Sequence, residues 1–238
     1  IDAAHKLVIL AAIAFGTPLA FDAVFTEGIS RLETRDVEYA EELGYRIKHL
    51  GIARRADDGI ELRVHPTLIP GGRLLANVNG VKNAVLVEGD AVGPTLYYGA
   101  GAGAEPTASA VIADIVDVAR SIATGQGLSV GGLGRPVAAL NEVPVLPIES
   151  IRSAYYLRMT AEDKPGVMSD VASIFSNAGI SIEALIQKPP SEGETRVPVI
   201  VLTNEVREGD VVAASKSIEA LPTIEGAITR IRVETLAG

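Results

Sequence analysis

The chain has 238 residues, of which 47% are hydrophobic and 21% charged, and its formal net charge is −9 at pH 7. These values allow one large domain or two of moderate size with a substantial core. The acidic balance argues against a nucleic-acid partner, because nucleic-acid-binding proteins present a basic surface. The chain has no cysteine, which excludes disulfides and thiolate metal sites, and we predict no metal site.

The longest uncharged run near the start is residues 7–21, and it is interrupted by Gly16 and Pro18. A membrane-spanning helix needs about 20 consecutive apolar residues. The run also lacks the basic segment and cleavage pattern of a signal peptide. We therefore expect a cytoplasmic protein with no membrane partner.

The opening stretch, IDAAHKLVILAA, predicts a helix over residues 2–15. Asp2 and Lys6 are four positions apart and share one helix face, so from spacing alone they form an ordinary surface ion pair. The stretch Leu7–Phe15 is uncharged, however, and predicts a buried helix with this pair at its mouth. Such surroundings shift pKa values and suit proton transfer. The first residue is not Met, and we expect the complete protein to have an upstream segment.

The next region predicts one helix and four strands. Thr34 is a candidate N-cap for a helix ending at Leu43. Two hairpins with alternating apolar residues follow, and we expect their four strands to form one antiparallel sheet. The predicted strands are Tyr45–Arg55, Ile60–Leu68, Val81–Glu88 and Val92–Tyr98.

Apolar residues occur on both faces of this predicted sheet, among them Val85, Val87, Leu96 and Tyr98. One face can accept the local helices, and the other is free to meet a second subunit. We therefore expect a homodimer or a homotetramer.

A glycine-alanine loop leaves the last of these strands and opens a helix, within residues 99–120 (GAGAGAEPTASAVIADIVDVAR). Glycines let a ligand approach the backbone, and a helix start offers free N–H donors. The spacing is not the dinucleotide fingerprint of a Rossmann turn. From the residues alone, a tight loop that lets the helix pack flat on the sheet is the favoured interpretation over ligand contact.

Residues 121–152 predict a linker, because they are rich in glycine and proline (Gly125, Gly127, Gly131, Gly132, Gly134, Pro136, Pro144 and Pro147). Residues 153–238 then predict a complete βαββαβ unit, with a four-stranded antiparallel sheet and two helices on one face. The predicted class is α+β with two domains: an antiparallel sheet with helices, followed by this ferredoxin-like unit.

Residues 1–120 resemble homoserine dehydrogenase in three pieces: IDAAHKLVILA, NVNGVKNAVLVEGDAVGPTLYYG and GAGAGAEPTASAV. Residues 153–238 resemble an ACT domain, an amino-acid-sensing module, through Asp163-Lys164-Pro165-Gly166-Val167 and Asn177-Ala178-Gly179-Ile180. The resemblance implies a catalytic domain over 1–120, a linker over 121–152 and a regulatory domain over 153–238. The order of the parts is that of the longer bacterial homoserine dehydrogenases.

The resemblance implies an NAD(P)-dependent interconversion of L-homoserine and L-aspartate 4-semialdehyde, on the route to threonine and methionine. The family's catalytic lysine matches Lys6, and its substrate-binding aspartate matches Asp2. The coenzyme-contacting glycine matches Gly103, with Gly101 and Ala104 beside it. This match favours coenzyme contact over packing at the glycine-alanine loop.

The family's nucleotide-binding domain has no counterpart in these residues, and neither do its substrate-binding glutamate and the carbonyls that hold sodium in some members. We therefore expect no useful catalysis from the 238 residues alone. Preference between NAD and NADP also depends on that domain. The alternative function is a non-catalytic module for amino-acid binding and dimerisation.

In ACT domains an amino acid commonly binds between two modules, which implies an effector site here, with threonine as the expected inhibitor. Plain helix capping explains the same residue types. The expected effector-binding residues are Asp163, Gly166, Val167, Asn177, Gly179 and Ile180.

Overall fold

A computed structural model describes the chain over residues 1–125, 133–190 and 195–236. Its α-helices in these ranges are α1 (Asp2–Phe15), α2 (Thr34–Glu42), α3 (Ala104–Thr124), α4 (Val167–Asn177) and α5 (Glu208–Glu219). Its strands are β1 (Phe25–Thr26), β2 (Tyr45–Ala56), β3 (Gly59–Pro70), β4 (Lys82–Gly89), β5 (Gly93–Ala100), β6 (Arg152–Glu162), β7 (Ile182–Gln187), β8 (Arg196–Thr203), β9 (Val206–Arg207) and β10 (Ile224–Val233). The α+β class is confirmed.

The main sheet joins both halves of the chain. Its strand order is β1-β3-β10-β6-β8-β7, with β2 on the other edge of β3 and β9 on β6. Strand β3 pairs in parallel with β1 at Arg63 and Val64, and with β10 at Thr67 and Leu68. The prediction of one antiparallel sheet from the first four long strands is wrong, because β4 and β5 form a separate two-stranded sheet.

The C-terminal βαββαβ unit is confirmed. Strands β7, β8, β6 and β10 are neighbours and antiparallel, and α4 and α5 cover one face. The core on that face is built from side chains such as Tyr155, Phe175 and Ile218. The opposite face packs Tyr156 and Ile231 against α2 and the β3 region. The unit is therefore fused to the first region through both its sheet and its second core.

Helix α1 has the predicted bounds but only one buried face. Ala4, Leu7 and Ala11 pack on β3, whereas Ile9 and Ile13 are exposed. The prediction that the whole apolar stretch is buried is wrong, since the described chain places protein on one side of the helix only.

Helix α2 is capped by Glu33 instead of Thr34. The Glu33 side chain accepts from the backbone N–H of Asp36, and the Glu33 N–H donates to the Asp36 carboxylate at 3.0 Å. This reciprocal capping box fixes the helix start.

Helix α3 has no buried residue, and its apolar side chains face outward. The same is true of one face of the β4–β5 hairpin, where Val85, Val87 and Tyr97 are exposed. The interpretation in which the glycine-alanine loop lets α3 pack flat on a sheet is therefore wrong for the described chain.

The described part of the predicted linker lies against the first region. Residue Ile60 exchanges hydrogen bonds with the backbone of Pro144 and Leu146, and Asn141 donates to the Gly16 carbonyl at 2.8 Å. Of the predicted linker glycines, Gly127, Gly131 and Gly132 lie outside the described residues. None of the helices in the described ranges combines the length and apolar character that a bilayer crossing requires.

Candidate functional site

Asp2 and Lys6 form the predicted pair at the start of α1. The Lys6 Nζ donates to the Asp2 Oδ2 at 2.7 Å. This hydrogen bond, together with the lysine charge, lowers the pKa of the Asp2 carboxyl. The Lys6 side chain is 68% exposed and the Asp2 side chain is 83% exposed. The prediction of a pair in buried surroundings is therefore wrong for the described residues. The reason is that the first turn of α1 carries both groups on the side away from β3.

The packing of α1 nevertheless fixes where this pair lies. Leu7 packs beside Gly51 of β2, where an added Cβ would be in van der Waals contact with the Leu7 Cδ1 at 3.4 Å. His5 stacks on Phe21, with ring centroids 4.2 Å apart. His5 is thus a packing residue. The pair therefore stands at the open end of a helix that is anchored on both sides of Lys6.

The glycine-alanine loop has a backbone that suits an anionic ligand. Gly103 is the N-cap of α3 with φ 124° and ψ 159°, a conformation that side chains rarely allow. A Cβ at Gly101 would collide with the Asn83 side chain. No side chain caps α3, so the N–H groups of Ala104 and Glu105 remain available at the positive end of the helix. These residues fit a nucleotide phosphate.

The Asp2–Lys6 pair and this loop are not joined by packing. Since α3 buries no residue, nothing in the described ranges holds Gly103 against α1. The same ranges contain no cluster of His, Asp or Glu that could hold a metal ion.

The six predicted effector residues lie at the two ends of α4. Gly166 is the N-cap of α4, Val167 is its first residue and Asn177 its last. An eleven-residue helix spans about 15 Å, too far for one small amino acid to touch both ends in one chain. Asp163 already accepts from the Gln187 amide at 3.0 Å. Gly179 and the buried Ile180 end α4, where Ile180 donates to the Phe175 carbonyl.

Sequence reasoning missed a set of buried ion pairs where the two regions meet. Arg158 donates to Asp36 at 2.5 Å and 3.1 Å, which joins β6 to α2. Arg63 donates to Glu234 at 2.5 Å and is itself fully buried. Charged residues within apolar strands were the available signal, but the partners are far apart in sequence.

His65 belongs to the same buried region. Its Nε2 lies 2.9 Å from Nη1 of Arg63, which can only donate, so the His65 proton is on Nδ1. Burial, followed by the charges of Arg232 and Arg63, lowers the pKa of His65 to about 2. The ring is therefore held neutral in the folded protein.

Residues 1–116 match the homoserine dehydrogenase family, and residues 155–221 match the ACT domain family. The chain combines a homoserine dehydrogenase domain with an ACT domain. It is 58% identical to a homoserine dehydrogenase of Pseudomonas aeruginosa and 52% identical to one of Neisseria gonorrhoeae. Each match covers 99% of this chain and 54% of the relative, so the chain spans about half the length of these curated relatives.

Solved structures agree with this assignment. A homoserine dehydrogenase from Thiobacillus denitrificans is 57% identical and superposes with a TM-score of 0.92, over 99% of this chain and 53% of that one. The fold is shared with the homoserine dehydrogenase of S. aureus at 24% identity and a TM-score of 0.65, over 98% of this chain and 52% of that one.

Proposed function

We propose that this chain is the catalytic and regulatory part of an enzyme that interconverts L-homoserine and L-aspartate 4-semialdehyde with NAD(P). The observation that carries the proposal is the Asp2–Lys6 pair at the anchored but open start of α1. In this pair a carboxylate and an ammonium are joined by a hydrogen bond, and both are exposed to an incoming substrate. The likeness to the relatives from Pseudomonas and Neisseria supports the same reaction.

Lys6 is the proposed proton carrier. During oxidation, the Lys6 amine takes the hydroxyl proton of homoserine as the C–O double bond forms. During reduction, the Lys6 ammonium donates a proton to the oxygen that becomes the alcohol. NAD(P) supplies the acceptor or donor of the hydride.

Asp2 is the proposed substrate-binding group. Its carboxylate pairs with the substrate ammonium and orients Lys6 through the existing hydrogen bond. Gly103, with Gly101 and Ala104, is the proposed coenzyme contact, where free N–H groups at the start of α3 receive a phosphate.

We further propose that residues 1–120 act as the catalytic domain, 121–152 as a linker and 153–238 as the regulatory domain. Since the two ends of α4 are about 15 Å apart, the effector contacts come from two copies: Asp163, Gly166 and Val167 of one, and Asn177, Gly179 and Ile180 of the other. Threonine, the pathway end product, is the proposed effector. The protein is proposed to be cytoplasmic and a homodimer or homotetramer.

The test is the intact mass of the purified protein combined with homoserine-dependent formation of NAD(P)H, followed by absorbance. A mass well above the 24.8 kDa of these residues with turnover supports the enzyme. A mass near 24.8 kDa with no turnover and saturable threonine binding supports the amino-acid-binding module instead. Turnover with other primary alcohols but not with homoserine contradicts the proposed substrate.

For the effector, calorimetric titration with threonine should give a saturable heat that Asn177→Ala removes. Ser176→Ala, the preceding exposed polar residue, is the matched control. Absence of heat, or equal loss in both variants, contradicts the effector site.

A further inference from the structure

A crevice opens in the main sheet because two strands compete for one edge of β3. Strand β1 occupies that edge at Arg63 and Val64, and β10 joins it only at Thr67 and Leu68. The earlier part of β10 therefore diverges from β3 and pairs with β6 alone. The residues that line the gap come mainly from the segment that follows β1 and from β10, together with Pro66 of β3 and Tyr155 of β6.

The crevice has a volume of about 450 Å³, which is within the range of small-molecule sites. It shares no residue with the Asp2–Lys6 pair, the Gly103 loop or the predicted effector residues. Leu32 and Ile228 add apolar surface to an otherwise charged lining.

Each of the three carboxylates of the crevice already accepts a hydrogen bond or ion pair from an arginine. Glu208 accepts from Arg232 at 2.6 Å and from the Tyr155 hydroxyl at 2.5 Å. Glu27 accepts from the same Arg232 at 2.9 Å, and Glu33 pairs with Arg158 at 3.0 Å. The Arg232 guanidinium also lies 4.9 Å from the Phe25 ring centroid, so it is fixed in place.

Two further arginines of the lining come from different segments: Arg31 lies between β1 and α2, and Arg230 lies in β10. Among the described residues neither has an ion pair, although every carboxylate around them is paired. The carboxylates thus already have arginine partners, whereas the N–H donors of Arg31 and Arg230 are not bound to a carboxylate in the described residues. A guanidinium fork is the side chain best suited to bind a carboxylate or phosphate.

We propose that this crevice is a binding site for a small organic anion, with its carboxylate or phosphate between Arg31 and Arg230. Gly28 and Thr229 also line the crevice, so their backbone amide signals should respond to a bound ligand. Leu32 and Ile228 contact its apolar part. The site joins the segment before α2 to the last strand of the ACT domain, and it is independent of the proposed effector contacts at α4.

The experiment is titration of the isotope-labelled chain with inorganic phosphate and, separately, with succinate, followed by amide chemical shifts. We expect saturable shifts at Gly28 and Thr229 with at least one of the two ions, and the responding ion identifies the class of ligand. The variant Arg31→Gln/Arg230→Gln should weaken binding by about tenfold or more, since two charged contacts are lost.

Arg120→Gln/Lys216→Gln removes the same amount of charge from exposed helix positions and should leave the affinity within about twofold. Saturable shifts confined to Gly103 and Ala104 would overturn the proposal. So would equal weakening in both double variants, or shifts that do not saturate with either ion. Unfolding midpoints of both variants verify that each is folded.

Discussion

The ACT domain and the segment that spans residues 82–124 differ in how they satisfy their apolar side chains. The ACT domain buries Tyr155, Phe175 and Ile218 between its own sheet and its own two helices. The 82–124 segment buries nothing: α3 exposes Ile112, Ile115 and other apolar residues, and the β4–β5 hairpin exposes Val85 and Tyr97. Apolar content is therefore no guide to burial unless the chain also supplies the opposing surface.

This contrast has a functional meaning. The ACT domain carries its own core, whereas the proposed coenzyme loop is attached to a helix that no described part of the chain supports. An exposed apolar helix of this length indicates a surface for other protein. We expect the coenzyme loop to be positioned only when such protein is present.

The largest predicted effect compares the two regions directly. Phe175→Ala should lower the free energy of unfolding by about 3–5 kcal/mol, because it opens a cavity in the ACT core. Ile115→Ala on α3 should change it by no more than about 0.5 kcal/mol. Urea unfolding followed by circular dichroism measures both. Equal losses would mean that α3 is buried in solution and that the two regions do not differ in this respect.

A slightly smaller effect is expected at the ion pairs between the two regions. Asp36→Asn should cost about 3 kcal/mol, because it leaves the buried Arg158 guanidinium with only the half-exposed Glu33 as a charge partner. Asp117→Asn is the control, since its partner Arg120 lies 3.8 Å away on the exposed surface of α3. Its effect should be close to zero. A small cost at Asp36 would mean that the two regions are not coupled through this pair.

The buried, neutral His65 should make the stability of the protein depend on pH. The pKa of His65 falls from its ordinary value of 6.5 to about 2 in the folded protein, so below pH 6.5 the unfolded chain binds a proton that the folded chain does not. Stability should therefore fall as pH is lowered, by about 2 kcal/mol between pH 7 and pH 5.

Urea midpoints measured across this interval test the prediction. His65→Gln should flatten the pH dependence, whereas His5→Gln, at an exposed ring on α1, should leave it unchanged. An unchanged slope in His65→Gln would show that other groups produce the acid sensitivity.

Local signals explain which parts of the fold the sequence predicts. Helix α1 and strands β2 and β3 are set by neighbours in the chain, and their bounds are close to those expected. The pairing of β3 with β10 depends on residues from opposite ends of the chain. No local pattern encodes it, so the sequence does not reveal that the two regions share one sheet.

At the candidate site, too, contacts between near neighbours in sequence are predictable and long-range surroundings are not. The contact between Asp2 and Lys6 follows from helix spacing and is predicted correctly. The exposure of this pair is not predicted correctly, because the surroundings of a helix face depend on elements remote in sequence. The polarity of Arg63 and His65 likewise suggests an exposed strand face, whereas long-range partners such as Glu234 allow both residues to be buried.

The smallest expected effect is on stability at the proposed catalytic pair. Lys6→Ala removes an exposed ion pair, so the unfolding midpoint should not change measurably. A clear loss of stability would mean that Lys6 has a structural role, and any loss of activity would then have a different origin.

The most direct test of the proposed function is the steady-state rate of homoserine oxidation by Lys6→Ala in the complete enzyme, with Lys216→Ala as the control. If Lys6 carries the proton, kcat falls by about 100-fold or more while the control keeps its rate. Asp2→Asn should instead raise the KM for homoserine more than it lowers kcat. A Lys6→Ala enzyme with kcat close to that of the unmodified protein would contradict the account, and the proton carrier would have to lie elsewhere.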